Sequence, residues 1–170
     1  MPKRSPRARP APFQLAGHDH RDCVAAALAA AERLCARRGA RLTPLRRRVL
    51  ELIWRSHAPI GAYAVLERLQ HERSGAAPPT VYRGLEFLIA HGLVHRIASR
   101  NAYIGCIRPD RSHIGQFLVC NDCGTAAELD DRRIESAILD SAREAGFAVE
   151  RPTVELAGRC PACAGKAARQ

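Results

Sequence analysis

No stretch of this 170-residue sequence approaches the ~20 consecutive apolar residues that span a bilayer. Its first 17 residues, MPKRSPRARPAPFQLAG, are basic but lead into no apolar segment, so they do not read as a secretory signal. A membrane partner is therefore not expected. A cytoplasmic, reducing setting is, and disulfides are disfavoured there. Also missing are an internal repeat, a Gly-rich phosphate loop and a recognisable nucleophile–base pair, so the chain is not expected to be an enzyme. Acidic residues are scarce at the front. Residues 1–58 hold 13 Lys+Arg against 4 Asp+Glu, whereas residues 107–170 hold 9 against 10. A basic front and a near-neutral rear point the front half towards a polyanion.

What is present begins with hydrophobic content. At 46% it is enough for a real core, and the length suits one ordinary domain or two small ones. Residues 1–17, rich in Pro and Arg, are expected to form a flexible basic arm. From Asp19 to Arg38 the chain is Ala-rich and helix-favouring, with Gly39 as a stop. Thr43 and Pro44 then mark a second helix as N-cap and first residue, with Leu45, Val49, Leu52 and Ile53 on its apolar face. A short helix follows, turning Val65, Leu66 and Leu69 inward. Pro79 opens a fourth helix with a stripe of Val81, Leu85, Leu88 and Ile89, and Gly92 ends it. Arg83 falls nearly opposite that stripe and must point outward. LVHRIA and AYIGCI read as strands joined by a Ser-Arg-Asn turn.

Short helices followed by a hairpin are the layout of a winged helix-turn-helix, whose last helix enters the major groove. A small α+β domain with one outward arginine would share the pattern. The basic front, the short turns and the hairpin together favour DNA binding. The expected fold is thus α+β. A winged-helix DNA-binding domain over 18–107 precedes a smaller α/β domain over 108–170.

Seven cysteines in a reducing compartment point to metal or thiol chemistry. Cys120 and Cys123 are matched by Cys160 and Cys163, and two Cys-x-x-Cys turns are what tetrahedral zinc needs. The 36 residues between the pairs hold a strand, a helix N-capped by Asp130 or Asp131, and a returning strand, FAVERPTVELAG (147–158), that can lie beside the first. A redox dithiol is more often a single pair opening a helix, and neither pair is placed so. These four thiolates are expected to hold a structural zinc. His95, Cys106, His113 and Glu128 form a looser set. One thiolate, two imidazoles and a carboxylate suit zinc. Spacing alone equally allows ordinary histidines and a solvated edge carboxylate. Cys23 and Cys35 read as small buried hydrophobes on the first helix.

RLTPLRRRVLELI, PPTVYRGLEFLIAHGLVHRI, NAYIGC and HIGQFLVCNDCG…CPAC together resemble the ferric uptake regulator superfamily, within it the zinc uptake regulator branch. The resemblance spans about residues 22–165. It implies a homodimeric, zinc-responsive transcriptional repressor of zinc-uptake genes that binds a double-stranded DNA operator. The second domain would then be the dimerisation domain. The resemblance also implies two zinc ions per chain: a structural one at Cys120, Cys123, Cys160 and Cys163, and a regulatory one at His95, Cys106, His113 and Glu128. Tyr63, Tyr82 and Arg83 match positions that contact DNA in the family. Arg46, Arg47 and Arg48, where outward-facing, would hold phosphates. Iron-sensing relatives carry a His-rich run where this chain has only SHIGQ, which counts against iron. The alternative within the family is another signal: iron, manganese, nickel or peroxide. Arginine is the preferred bidentate partner of guanine in the major groove. Arg83→Ala is therefore expected to lose about 1–3 kcal/mol of operator discrimination while keeping its zinc, read by comparing binding to operator and scrambled duplexes alongside metal content.

Overall fold

Thr43 and Pro44 show how the local chemistry shapes the chain. The Thr43 hydroxyl accepts the Arg46 N–H at 3.4 Å, and helix α2 (Pro44–Trp54) starts there. The computed structural model describes residues 13, 20–56, 58–72 and 77–167. The expected arm, 1–17, lies outside them except for Phe13. Helix α1 spans His20–Arg37 and stops at Gly39, whose φ of +62° is cheap only for glycine. A two-residue strand β1 (Ile60–Gly61) leads into α3 (Ala62–Glu72). Helix α4 (Pro78–Ala90) starts one residue before Pro79; Ala77 offers no capping side chain, and two prolines preset its first turn. Gly92, at φ +68°, turns the chain, and only Leu93 then separates it from β2 (Val94–Ile97).

The hairpin continues through a 3-10 turn at Ala98–Arg100 and Asn101, whose left-handed φ of 45° closes it, into β3 (Ala102–Gly105). Arg96 donates to Asn101 Oδ1 at 2.8 Å across the turn. Strand β1 pairs antiparallel with the far edge of β3, giving a sheet ordered β1-β3-β2. The second sheet, ordered β5-β4-β6, joins β4 (Gly115–Cys120), β5 (Ala126–Leu129) and β6 (Thr153–Gly158). Strand β6 runs parallel to β4, so the chain does return beside its first strand. Helix α5 (Arg132–Glu144) is capped by Asp131, which accepts the Arg133 N–H at 3.0 Å. A short α6 (Pro161–Ala167) follows Cys160.

Two clusters of buried side chains hold this together. The larger packs α1–α4 around Leu34, Val49, Ile53, Val65, Leu85 and Leu88 and reaches Val94 and Tyr103 on the hairpin. The smaller joins Ile97 and Ile104 of the same hairpin to Phe117, Val119 and Ala126 of the second sheet. Burying each such side chain contributes ~1.5–3 kcal/mol, so the hairpin is held from both faces. All four residues of β3 are buried as a result.

Four readings of the sequence need correction. Ile89 is 39% exposed, because the stripe of α4 is completed by Gly84 instead. Cys23 is only partly buried, while Cys35 is in the core. The returning strand begins only at Thr153, leaving residues 147–152 outside β6, and the Cys160–Cys163 pair does open a short helix, α6, which like β1 was not expected.

Gly105 allows β3 to pass directly against Trp54: a Cβ there would lie 2.2 Å from the indole ring. Gly105→Ala is expected to cost about 1–3 kcal/mol as the ring is displaced, read as a lower urea midpoint. Trp54 is the only tryptophan, so its emission should shift in step; unchanged stability and emission would mean the ring yields freely.

Candidate metal centres

The Cys120 turn closes through Gly124, whose N–H donates to the Cys120 carbonyl at 3.1 Å with φ +72°. The Cys160 turn closes through the first residues of α6, with Cys163 N and Ala164 N donating to the Cys160 carbonyl. Because β4 and β6 run parallel, both turns emerge at the same end of the sheet. There the sulfurs of Cys120, Cys123, Cys160 and Cys163 lie within 4.8 Å of one another. An ion pair of Arg159 with Asp122, at 3.2 Å, ties the two turns together. Cys123 Sγ and Cys160 Sγ are 3.8 Å apart, and all seven cysteines are free thiols. A tetrahedron with ~2.3 Å metal–sulfur bonds has edges of about 3.8 Å, so the donor set fits zinc. The N–H groups of Cys123 and Cys160 draw the Cys120 thiol down to about 6. Thr125 lowers that of Cys123, whereas crowding by Cys160 and Cys123 pushes Cys163 up to about 12. Thiols that ionise stepwise in such a crowd need a cation to become thiolates together.

The second cluster assembles from four segments. His95 comes from β2, Cys106 follows β3, His113 precedes β4 and Glu128 lies on β5, and their donor atoms are also within 4.8 Å of one another. Glu128 is at the centre. Its Oε1 is 2.7 Å from His113 Nε2 and 3.1 Å from His95 Nε2, and its Oε2 accepts the Ile107 N–H at 2.9 Å. His113 Nδ1 sits 3.1 Å from the Arg111 carbonyl, an acceptor only, which fixes that nitrogen as the donor and turns Nε2 inward. Cys106 Sγ is 3.7 Å from His113 Nε2. His95 Nε2 is buried and, despite its closeness to Glu128, misses hydrogen-bond geometry. An inward-facing buried nitrogen without a hydrogen bond, beside a buried carboxylate, fits a cation-binding site. Gly115 leaves room for the ring: a Cβ there would stand 3.3 Å from His95 Nδ1.

Burial pushes the Glu128 carboxyl up, but His95, the Ile107 N–H and His113 outweigh it and leave it below the ordinary range. Burial and the nearby Glu128 charge push the Cys106 thiol up to about 12. The pocket thus contains an ionised carboxylate and a protonated thiol.

None of the expected DNA-facing residues belongs to either cluster, although Tyr82 lines the same cavity as His95 and His113. Tyr63 is 76% exposed, Tyr82 is 40% exposed, and the exposed Arg83 donates from Nε to the Pro79 carbonyl at 3.3 Å. Arg46 lies over the Phe87 ring at 3.6 Å, and Arg47 pairs with Glu32 at 3.1 Å. Arg48 is held between Glu51 and Glu72, joining α2 to α3.

The ferric uptake regulator family profile matches residues 37–157. The chain belongs to that family. It is 39% identical over 137 residues to the zinc uptake regulation protein of Escherichia coli (strain K12), covering 80% of each. Its structure superimposes on a zinc uptake regulator complexed with zinc and DNA with a TM-score of 0.81, at 37% identity, covering 85% of this chain and 97% of the other. Against holo XcZur the TM-score is 0.76 at 42% identity, covering 81% and 96%; against apo XcZur it is 0.50 at 41%, covering 84% and 99%.

Sequence reasoning missed the residues that brace these clusters. Arg111 pairs with Asp130, holding the segment that presents His113 against the end of β5. Arg159 and Asp122 are the other example. Ion pairs between distant segments leave no local pattern to read.

Raising the Cys106 value means that its proton competes with any cation. Cation affinity at this cluster should therefore fall as pH falls, by about tenfold per unit from this thiol alone anywhere well below pH 12. Competition titrations with a zinc chelator at pH 6.5, 7.5 and 8.5 measure the slope.

Proposed function

We propose that the chain is a zinc-responsive, DNA-binding transcriptional repressor of zinc-uptake genes. The observation that carries this reading is the meeting of His95 and Cys106, from the wing side, with His113 and Glu128, from the second-sheet side, at one cation-sized point. On this reading those four residues hold the regulatory zinc. Cys120, Cys123, Cys160 and Cys163 hold a structural one, giving two per chain. The boundary between an 18–107 DNA-binding domain and a 108–170 dimerisation domain then falls inside the regulatory set, between Cys106 and His113.

That placement supplies the mechanism. An ion bound by donors from both units favours their closed arrangement only to the extent that it binds that arrangement more tightly. If the closed arrangement also spaces the recognition helices for successive major grooves, zinc and DNA reinforce each other reciprocally. Typical couplings of ~1–3 kcal/mol correspond to about 5–150-fold in operator affinity. The likeness to known structures supports this: identity to holo and apo XcZur is nearly equal, yet the fold superimposes far better on the holo form. The greater likeness to the holo form is what a closed, ion-holding arrangement would give.

A homodimer is supported by what the single chain leaves open. Helix α5 has no buried residue, although Ile138 lies on it; Phe147, just after it, is 68% exposed, and Leu156 on β6 is 51% exposed. Strand β6 has no second strand partner among the described residues. An apolar face and an open edge together are what a second copy covers. On the DNA side, Arg83 and Tyr82 on α4 and Tyr63 on α3 face the duplex. Arg46 and Arg47 serve phosphates; Arg48 must first leave Glu51 and Glu72 to do so. No helix among the described residues is long and apolar enough to cross a membrane.

Cys106→Ser is expected to keep the four-cysteine zinc but lose zinc-stimulated operator binding by about tenfold or more. Zinc-titrated gel shifts with metal counts on the same sample check it. A variant responding to zinc like the parent would remove this cluster from the sensing role.

A further inference from the structure

Away from the metal clusters, the wing turn is gripped by the second sheet. The Glu155 carboxylate on β6 accepts the Ala98 N–H at 2.6 Å and the Ser99 N–H at 3.1 Å. These are the first amides of the 3-10 turn, which lack partners within it. In return, Arg100 of the same turn donates to the Cys120 carbonyl at 3.3 Å and to Asn121 Oδ1 at 3.2 Å. One carboxylate and one guanidinium thus reach in opposite directions across the seam. Both contacts involve charge, which roughly doubles the strength of a hydrogen bond. Their footing is rigid, because Asn121 N donates to the Gly158 carbonyl at 2.8 Å, joining the Cys120 turn to the end of β6.

We propose that Glu155 and Arg100 are positioning residues, forming a metal-free clasp that docks the wing turn on the four-cysteine end of the second sheet. The clasp holds the wing at its tip, while the His95–Cys106–His113–Glu128 cluster holds it at its base. Two points fix the orientation of a hairpin, whereas one leaves a pivot. The clasp therefore lowers the zinc concentration needed to close the two units by keeping the wing close to its closed position. The role in the zinc response rests on the reading proposed above; the clasp itself does not.

Full-length Glu155→Gln and Arg100→Ala test this with two readouts. Hydrogen exchange over residues 98–99 should quicken about tenfold or more in Glu155→Gln, because the amides lose an ionised acceptor. The zinc concentration for half-maximal operator binding should rise about two- to fivefold in each variant, the upper range of a partly exposed charged contact. Zinc content should stay at the parent value. Unchanged exchange in Glu155→Gln, or an unchanged half-point in both variants, overturns the proposal. A parent chain with no zinc response at all would instead overturn the regulatory reading, and the exchange measurement would still decide whether the clasp exists.

Discussion

The carboxylate of Glu128 is the interaction on which the rest depends. It is buried and ionised, and among the described residues the Ile107 N–H gives it its well-formed main-chain hydrogen bond. One amide does not repay the desolvation of a full charge, which costs several kcal/mol. The remaining compensation must come from His113 and His95, and those two imidazoles sit on opposite sides of the seam. Two ways of supplying positive charge are open: protonating the rings or admitting a cation between all four donors. A cation also converts the Cys106 thiol to a thiolate, removing its proton instead of leaving it buried and unused. On the proposed reading, a cation that supplies this charge would draw the two units together.

On the proposed reading, the hairpin would pass that local demand on to the surface that bears Arg83. Its two strands have split allegiance, with Val94 and Tyr103 in the helical core and Ile97 and Ile104 in the core of the second sheet. Interiors packed this closely do not deform continuously, so the hairpin carries displacement from one core to the other. Helix α4, which bears Arg83, is joined to β2 through only His91, Gly92 and Leu93. His91 is pinned by stacking on Phe87, with its Nδ1 2.8 Å from the Phe87 carbonyl. A connection this short has little slack, so on the proposed reading donors at the base of the wing would govern the placement of α4.

Local signals in the sequence were read correctly where one residue's chemistry was enough. Thr43–Pro44, Gly39, Gly92 and Asp131 each set a helix end through their own hydroxyl, ring, missing Cβ or carboxylate. The paired Cys-x-x-Cys turns were legible for the same reason: each pair is a self-contained turn, and only the parallel return of β6 had to be inferred. The second cluster was illegible by spacing because His95, Cys106, His113 and Glu128 come from four segments, and only the tertiary fold defines their distances. Helical periodicity overreached at Ile89, since Gly84 lets α4 sit 3.6 Å from Val49 by its own would-be Cβ and tilts the stripe. Strand β1 escaped notice because two residues carry no period. The arginine run of α2 misled differently: charge pattern cannot tell a solvated guanidinium from Arg48, which Glu72 claims from 24 residues away.

The positions of the two clusters also separate their thermodynamics. The four cysteines belong to one sheet end, where parallel β4 and β6 and the Arg159–Asp122 pair gather the turns, and all four donors come from one side of the seam. Binding there pays no cost for moving one unit against another. The His95–Cys106–His113–Glu128 cluster spans the seam, so its observed affinity is the intrinsic one reduced by the fraction of chains already closed. Any contact that raises this fraction raises the apparent affinity without touching the donors. A centre within one unit can thus be permanent while a centre across the seam is adjustable, although both use thiolate chemistry. Adjustability of that kind resides in the packing around a metal site more than in its ligands, and here it resides in the wing.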